Sequence, residues 1–448
     1  MIFVYNSLVM FCLIAASPVL VPYLLISEKR RRSFIKRLGF QPFRLQAGAE
    51  GAPALDNRRP VWIHALSVGE MLATLPLIHQ LRSHQPDLPI VFSASTVSGY
   101  ENAKKTLFDL VDDIVYFPHD LQFAVHRVVT RINPGAVVIM ESDIWPNFVS
   151  KMKSLGIPVI FANAKVSDRS FKTFCRFPWL ARLLFSKFAK ICAQTEEDVR
   201  RFKAIGVPGN AVVNTGNIKF DQEYETLSER DMAELKQSIA SESGQRIWVA
   251  GSTHDGEEAF ICKAFKKIKN EYSGLLLIVG PRDPKRAKGV KQLFVQAGFD
   301  ARCLSEQRDN LLSVNKTDVL VIDCIGLLRR LYAIADIALV GGSLLCIRGI
   351  GGHNPLEPAA YSKPVIFGPN MTNFKEISRA FTETGGCVQV ETEEDLGRAV
   401  TLMLSDRQRA SHIGQKAFQV FCANKGAVEK TLSVLQQYIY PPAKAFEN

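Results

Sequence analysis

The hydrophobic pattern of the chain opens with one long apolar run and then changes period. Between Ile2 and Ile26 only Asn6, Ser7 and Ser17 are clearly polar. A helix of roughly 20 such residues crosses a bilayer core, so the run predicts a membrane segment over residues 1–27. Short apolar, β-branched stretches then alternate with helix-like ones, at Val61–Ala65, 90–95, Ala136–Met140, 159–162 and 211–214. That alternation is the pattern of parallel strands joined by helical crossovers. It restarts at 247–250, 275–279, 319–322, Ile337–Val340 and 364–367, after the polar, helix-prone residues 223–244. The expectation is two doubly wound α/β domains, residues 28–222 and 245–406, with residues 223–244 as linker and a helical segment over 407–448. Domains of this kind bind ligands at the carboxyl ends of their strands, in a cleft between the two.

Charge refines this picture. The 448-residue chain carries a formal net charge of +11, which favours anionic partners. Lys29, Arg30, Arg31, Arg32, Lys36 and Arg37 form one dense cluster directly after the apolar run. A cleaved secretory signal carries its basic residues before the apolar run, so the run reads as a retained anchor. The positive-inside bias then places everything after Ile26 on the cytoplasmic side of an inner membrane, with the start of the anchor facing out. Pro18 and Pro22 leave open a segment lying in one leaflet. Each basic residue near an anionic lipid surface adds about 1 kcal/mol of attraction. Because these cations crowd beside the anchor without aromatic interleaving, no nucleic-acid partner is expected. Nine cysteines include no CxxC pair and the histidines show no HExxH spacing, so the thiols read as reduced and no metal site is expected.

The candidate chemistry follows the strands. Gly341-Gly342-Ser343, then Gly351-Gly352-His353-Asn354-Pro355-Leu356-Glu357-Pro358, lie just past Ile337–Val340. Glycines let backbone approach a ligand closely, a helix starting near Pro355 would turn its positive end toward a phosphate, and Glu357 can accept hydrogen bonds from ribose hydroxyls. After Val61–Ala65 come Leu66-Ser67-Val68-Gly69-Glu70 and a helix predicted over 71–81, which makes Glu70 a candidate general base. A first-turn Glu that merely offsets the helix dipole reads the same way. Met140-Glu141-Ser142-Asp143-Ile144-Trp145-Pro146-Asn147 sets acidic groups beside a ring able to face a sugar. Lys219, in Gly216-Asn217-Ile218-Lys219-Phe220-Asp221, and Arg282, in Gly280-Pro281-Arg282-Asp283-Pro284, are cations suited to an anionic sugar activated through a phosphate. Gly251-Ser252-Thr253-His254-Asp255-Gly256-Glu257 adds a phosphate-sized turn ahead of a helix.

Taken in order, His64 to Glu70, Glu141 to Asn147, Gly216 to Asp221 and Gly352 to Glu357 resemble the Kdo transferases of lipopolysaccharide assembly, from the anchor to near the C-terminus. The resemblance implies the GT-B fold, two Rossmann-like domains facing across a cleft. It implies transfer of Kdo (3-deoxy-manno-octulosonic acid) from CMP-Kdo to the glucosamine disaccharide of a lipid A precursor, without a cofactor. Glu70 is thereby implied as the base that deprotonates the acceptor hydroxyl in an inverting displacement, and Glu141 and Lys219 as transition-state stabilisers. Pro281 and Arg282, then Ile325, Gly326 and Leu327, then Asn354, Pro355, Leu356 and Glu357, match segments that hold CMP. The chain departs from the family's pattern at Asp283, where His is common, and at Leu327, where Glu is common. The spacer between Ser343 and Gly351 is also longer. Two other readings remain at this stage: another nucleotide-sugar enzyme of the same fold, or a membrane-anchored scaffold that has lost catalysis.

Overall fold

The computed structural model describes residues 2–45, 59–239, 244–308 and 317–439. Residues 240–243 of the expected linker and 440–448 of the expected C-terminal segment lie outside them. The chain forms two units, Met1–Gln222 with Asn424–Asn448, and Glu223–Ala423. The N-terminal unit is built on β1 (Val61–Ala65), β2 (Ile90–Ala94), β3 (Asp113–Tyr116), β4 (Ala136–Met140), β5 (Val159–Ala164), β6 (Lys190–Ala193) and β7 (Val212–Asn214). They pair in the order β3-β2-β1-β4-β5-β6-β7, each pair parallel. Strands β1, β2, β4 and β5 are buried at every position, as a sheet covered on both faces requires.

The C-terminal unit repeats the plan with β8 (Arg246–Thr253), β9 (Leu275–Pro281), β10 (Ala301–Cys303), β11 (Val319–Val321), β12 (Ile337–Val340), β13 (Val365–Phe367) and β14 (Cys387–Gln389). Its order is β10-β11-β9-β8-β12-β13-β14, again all parallel. In both sheets the order reverses beside the first strand of the unit, next to β1 and next to β8. That switch point is where a doubly wound sheet opens at its carboxyl edge to receive a ligand.

Four strands were not legible in the hydrophobic pattern: β3, β6, β10 and β14. Each has three or four residues, and Asp113, Lys190, Arg302 and Gln389 break their apolar character. Three of them lie at sheet edges, where partial exposure tolerates polar side chains.

The C-terminal helical stretch is two helices, Arg407–Ala423 and Ala427–Ile439, broken at Gly426 (φ +97°). Asp221 fixes the break, its carboxylate accepting hydrogen bonds from the Gly426 and Val428 N–H groups at 2.6 Å each. The first helix belongs to the C-terminal unit. The second returns to the N-terminal unit, where Val428, Leu432 and Leu435 pack in the core with Leu77, Ile78 and Ile218.

At the other end, the helix Ile2–Ile26 is long and apolar enough to cross a membrane, with no residue of its 2–19 window buried. Ser27 connects it directly to a basic helix, Glu28–Arg37.

Candidate active site

In the N-terminal unit the acidic and basic residues singled out above converge at the carboxyl ends of β1, β4, β5 and β7. Ser67 caps the helix Val68–His84, accepting from the Glu70 N–H at 3.4 Å. The Glu70 carboxylate folds back to accept from the Leu66 N–H at 2.7 Å, and its other oxygen accepts from the Ser142 hydroxyl at 2.7 Å. Glu70 is thus a capping group, as the dipole reading proposed, but it also reaches across to the loop after β4. Burial, reinforced by the negative charges of Glu141 and Asp143, outweighs those two hydrogen bonds and raises its pKa to about 7. A carboxyl group poised there can take up a proton near neutral pH.

The loop after β4 is held in unusual backbone conformations. Glu141 (φ +50°) and Asp143 (φ +65°) both occupy the left-handed region, which costs a non-glycine residue free energy that the surroundings must offset. The offset is visible in their partners. Glu141 pairs with Lys219 at 3.0 Å and accepts from the Asn163 amide at 2.7 Å. Asp143 accepts from the Trp145 indole at 2.7 Å and from Ser95, and lies 2.9 Å from His64 Nε2. Burial works against the Asp143 charge, yet the bonds from His64, Ser95 and Trp145 hold its pKa below the usual carboxylate range. His64 is itself fixed by Ser93 at 3.0 Å and by stacking on Phe117 at 3.8 Å.

Asn163 carried no signal in the sequence beyond being a polar residue near the end of an apolar strand. It is fully buried at φ +53° and joins two of the motifs. Its amide donates to Glu141 while its oxygen accepts from the Ile218 N–H at 3.0 Å, which sets the turn bearing Lys219. Trp145, offered above as a sugar platform, is partly buried and packs against the core.

In the C-terminal unit, two expectations change. The helix near Pro355 is only Leu356–Ala359, a single turn, so the dipole available to a phosphate there is small. The turn 251–257 is likewise already filled. Its own Glu257 is completely buried and accepts from the N–H groups of His254 (2.9 Å), Gly342 (2.7 Å), Ser343 (3.0 Å) and Leu344 (2.9 Å). The amides that the glycine motif offered to a phosphate therefore organise the loop instead. Gly341 is required for that packing, because a Cβ there would lie 2.6 Å from the Ser252 carbonyl oxygen.

The polar groups that remain around this loop are side chains. His254 and His353 stack in parallel with their Nε2 atoms 2.7 Å apart. Burial, then Arg282 and His254, push the His353 pKa down to about 4, so this ring is neutral at physiological pH. Arg282 is exposed, its backbone N–H donating to the Thr253 carbonyl at 2.9 Å. Glu357 lies 3.3 Å from Arg329, and burial raises its pKa against the pull of Arg329 and Arg282. Asn354 stands just before the short helix, its side-chain oxygen accepting from the Leu356 N–H at 3.1 Å, and its amide donates to the Tyr224 hydroxyl at 3.3 Å. Tyr224 and Arg329, also in cation–π contact at 5.3 Å, had no sequence signal of their own.

Pro281 ends β9, and Ile325-Gly326-Leu327 follow β11 just before the helix Leu328–Ile334. Ile325 is 90% exposed, while Leu327 packs on the core. Asp283 caps its own turn by accepting from the Lys285 N–H at 3.0 Å. The two departures from the family pattern thus serve local structure. Among the described residues no group of three or more His, Cys, Asp or Glu side chains is placed to hold a metal ion.

Comparison with known proteins places this geometry. A family described as 3-deoxy-D-manno-octulosonic-acid transferase (kdotransferase) matches residues 32–222, and one described as glycosyl transferases group 1 matches residues 259–420. The chain is 34% identical over 447 residues to the 3-deoxy-D-manno-octulosonic acid transferase of Haemophilus influenzae, covering 98% of each. With the corresponding protein of Chlamydophila psittaci it shares 29% identity over 443 residues, 98% of this chain and 96% of that one. Among solved structures, the UDP-GlcNAc 2-epimerase of Neisseria meningitidis bound to UDP-GlcNAc aligns with a TM-score of 0.57 at 16% identity, covering 84% of this chain and 100% of that one. This last likeness is one of fold, the two-domain GT-B architecture. The chain belongs to the 3-deoxy-D-manno-octulosonic acid (Kdo) transferase family of glycosyltransferases.

Proposed function

We propose that the protein transfers Kdo from CMP-Kdo to a hydroxyl on the glucosamine disaccharide of a lipid A precursor, with inversion. The observation that carries the reading is the placement of Glu70, a half-buried carboxyl held by the Leu66 N–H and the Ser142 hydroxyl beside the Glu141–Lys219 pair, where desolvation raises its pKa to about 7. Glu70 removes the proton from the acceptor hydroxyl as its oxygen bonds to the anomeric carbon of Kdo. The bond from that carbon to the phosphate oxygen breaks with its electron pair, and CMP leaves. Lys219 opposes the negative charge of the Kdo carboxylate and the departing phosphate, while Glu141, itself fixed by the Asn163 amide, holds its ammonium in position.

In the C-terminal unit, CMP is held by Pro281 and Arg282, by Ile325, Gly326 and Leu327, and by Asn354, Pro355, Leu356 and Glu357. Arg282 contributes positive charge toward the phosphate. Glu357, oriented by Arg329, accepts from the ribose hydroxyls. The occupied glycine-loop amides shift phosphate recognition onto side chains, so Arg282 carries more of it than the motif alone implied. The apolar helix Ile2–Ile26 and the basic residues after it tether the units to the cytoplasmic face of the inner membrane, where anionic lipid and a lipid-embedded, phosphorylated acceptor are both present.

The pH dependence of kcat tests the base. Glu70 works as a carboxylate, so the rate rises about tenfold per pH unit well below 7 and levels off above it. A rate independent of pH between 5.5 and 8, with chemistry shown to limit turnover, would remove Glu70 from that role.

A further inference from the structure

We infer that the apolar N-terminal helix does not cross the membrane but lies in the near leaflet, pinned by its first turn to the catalytic body. The inference rests on the membrane tether proposed above and concerns its geometry. Tyr5 donates from its hydroxyl to the Asp120 carboxylate at 2.8 Å. The adjacent Asn6 accepts from the Asn147 amide at 2.6 Å, and that amide also donates to the Asp120 carbonyl at 2.7 Å. Asp120 is buried and takes the Asn147 and Phe148 N–H groups that begin the helix Pro146–Ser154, so its position is set by the N-terminal unit itself.

The other end of the helix returns to the same place. Ser27 links it to Glu28–Arg37, and Arg37 donates from its side chain to the Phe117 carbonyl at 3.0 Å while its own carbonyl accepts from the His119 N–H at 2.9 Å. Arg30 lies over the Tyr23 ring at 4.1 Å. A 25-residue helix is about 37 Å long, so a spanning geometry would carry Tyr5 roughly 30 Å from the body across the hydrocarbon core. Bonding to Asp120 forbids that.

The faces of the helix agree. Ile2, Tyr5, Asn6, Val9, Leu13, Ser17 and Leu24 are half-buried at helical spacing and form the protein-facing stripe. Phe3 (79% exposed), Phe11 (69%), Ile14 and Val19 (75%) lie on the open side. Arg30, Arg31 and Arg32 are exposed just beyond. The helix is apolar all round, so it is the body, not a polar face of its own, that covers its inner side, while the open side meets acyl chains and the cations beyond it meet anionic headgroups.

The test uses the full chain with an epitope tag fused ahead of Met1, in inverted inner-membrane vesicles exposed to protease with and without detergent. The expected result is loss of the tag and digestion of the body without detergent. A tag protected until detergent is added, with the body digested, would overturn the in-plane geometry and leave the tether standing. Tag and body protected together would uphold the in-plane helix and refute the cytoplasmic orientation. Release of the protein from the vesicles by carbonate with the tag digested would refute the membrane tether and the in-plane helix with it.

Discussion

Glu70→Gln is expected to lower kcat by about 10²–10⁴-fold, the range a positioned general base contributes, with CMP binding unchanged. The amide keeps the size of the side chain, and its oxygen still accepts from the Leu66 N–H, so the start of the helix Val68–His84 stays capped. What it cannot do is take a proton. The rise of rate with pH through about 7 should vanish with the wild-type rate, since the group that titrates there is gone. Stability should hold or increase slightly, because the folded state no longer has to ionise a half-buried, partly desolvated carboxyl above its pKa. Wild-type turnover in this variant would show that Glu70 is a cap and nothing more.

Lys219→Met is expected to affect both rate and stability. Its partner Glu141 keeps only 8% of its side chain exposed, and removing one member of a buried pair strands the other, at a cost of roughly 3–5 kcal/mol. Lys219 itself is 17% exposed, so a loss near 3 kcal/mol and a Tm lower by about 5–10 °C are expected. The rate should fall by about 10²–10³-fold through loss of the charge opposing the leaving phosphate. Combining Lys219→Met with Glu141→Gln, whose amide oxygen still accepts from Asn163, separates the two effects. The stranded charge is gone, so thermal stability should recover in a melting experiment while activity stays low. Recovery of activity in the double variant would mean that the pair is structural.

Much of this was legible in the chain. The buried strands β1, β4 and β12 could be placed by their continuous apolar, β-branched runs, and Glu70, Glu141 and Lys219 by the motifs that follow strand ends. Their convergence could not be read, because it depends on β1 and β4 being neighbours and on β7 lying three strands further along the same parallel sheet. The roles of Asn163 and Glu257 were invisible for a related reason. Each satisfies backbone N–H groups on a distant segment, Ile218 in one case and Gly342 to Leu344 in the other, and nothing local marks that demand. The glycines misled at the loop after β12, where open amides were expected and Glu257 already occupies them. The hydrophobicity of residues 2–26 likewise carried no record of Tyr5 and Asn6 being bonded to the body.

The most direct measurement of the central proposal is transfer from freshly generated CMP-Kdo to a tetraacylated lipid A precursor by the detergent-solubilised protein, with products resolved by mass. The account predicts an acceptor heavier by one or more whole Kdo units, dependent on the CMP-activated donor. An unmodified acceptor, with the protein folded and the donor shown to be intact throughout, would contradict it.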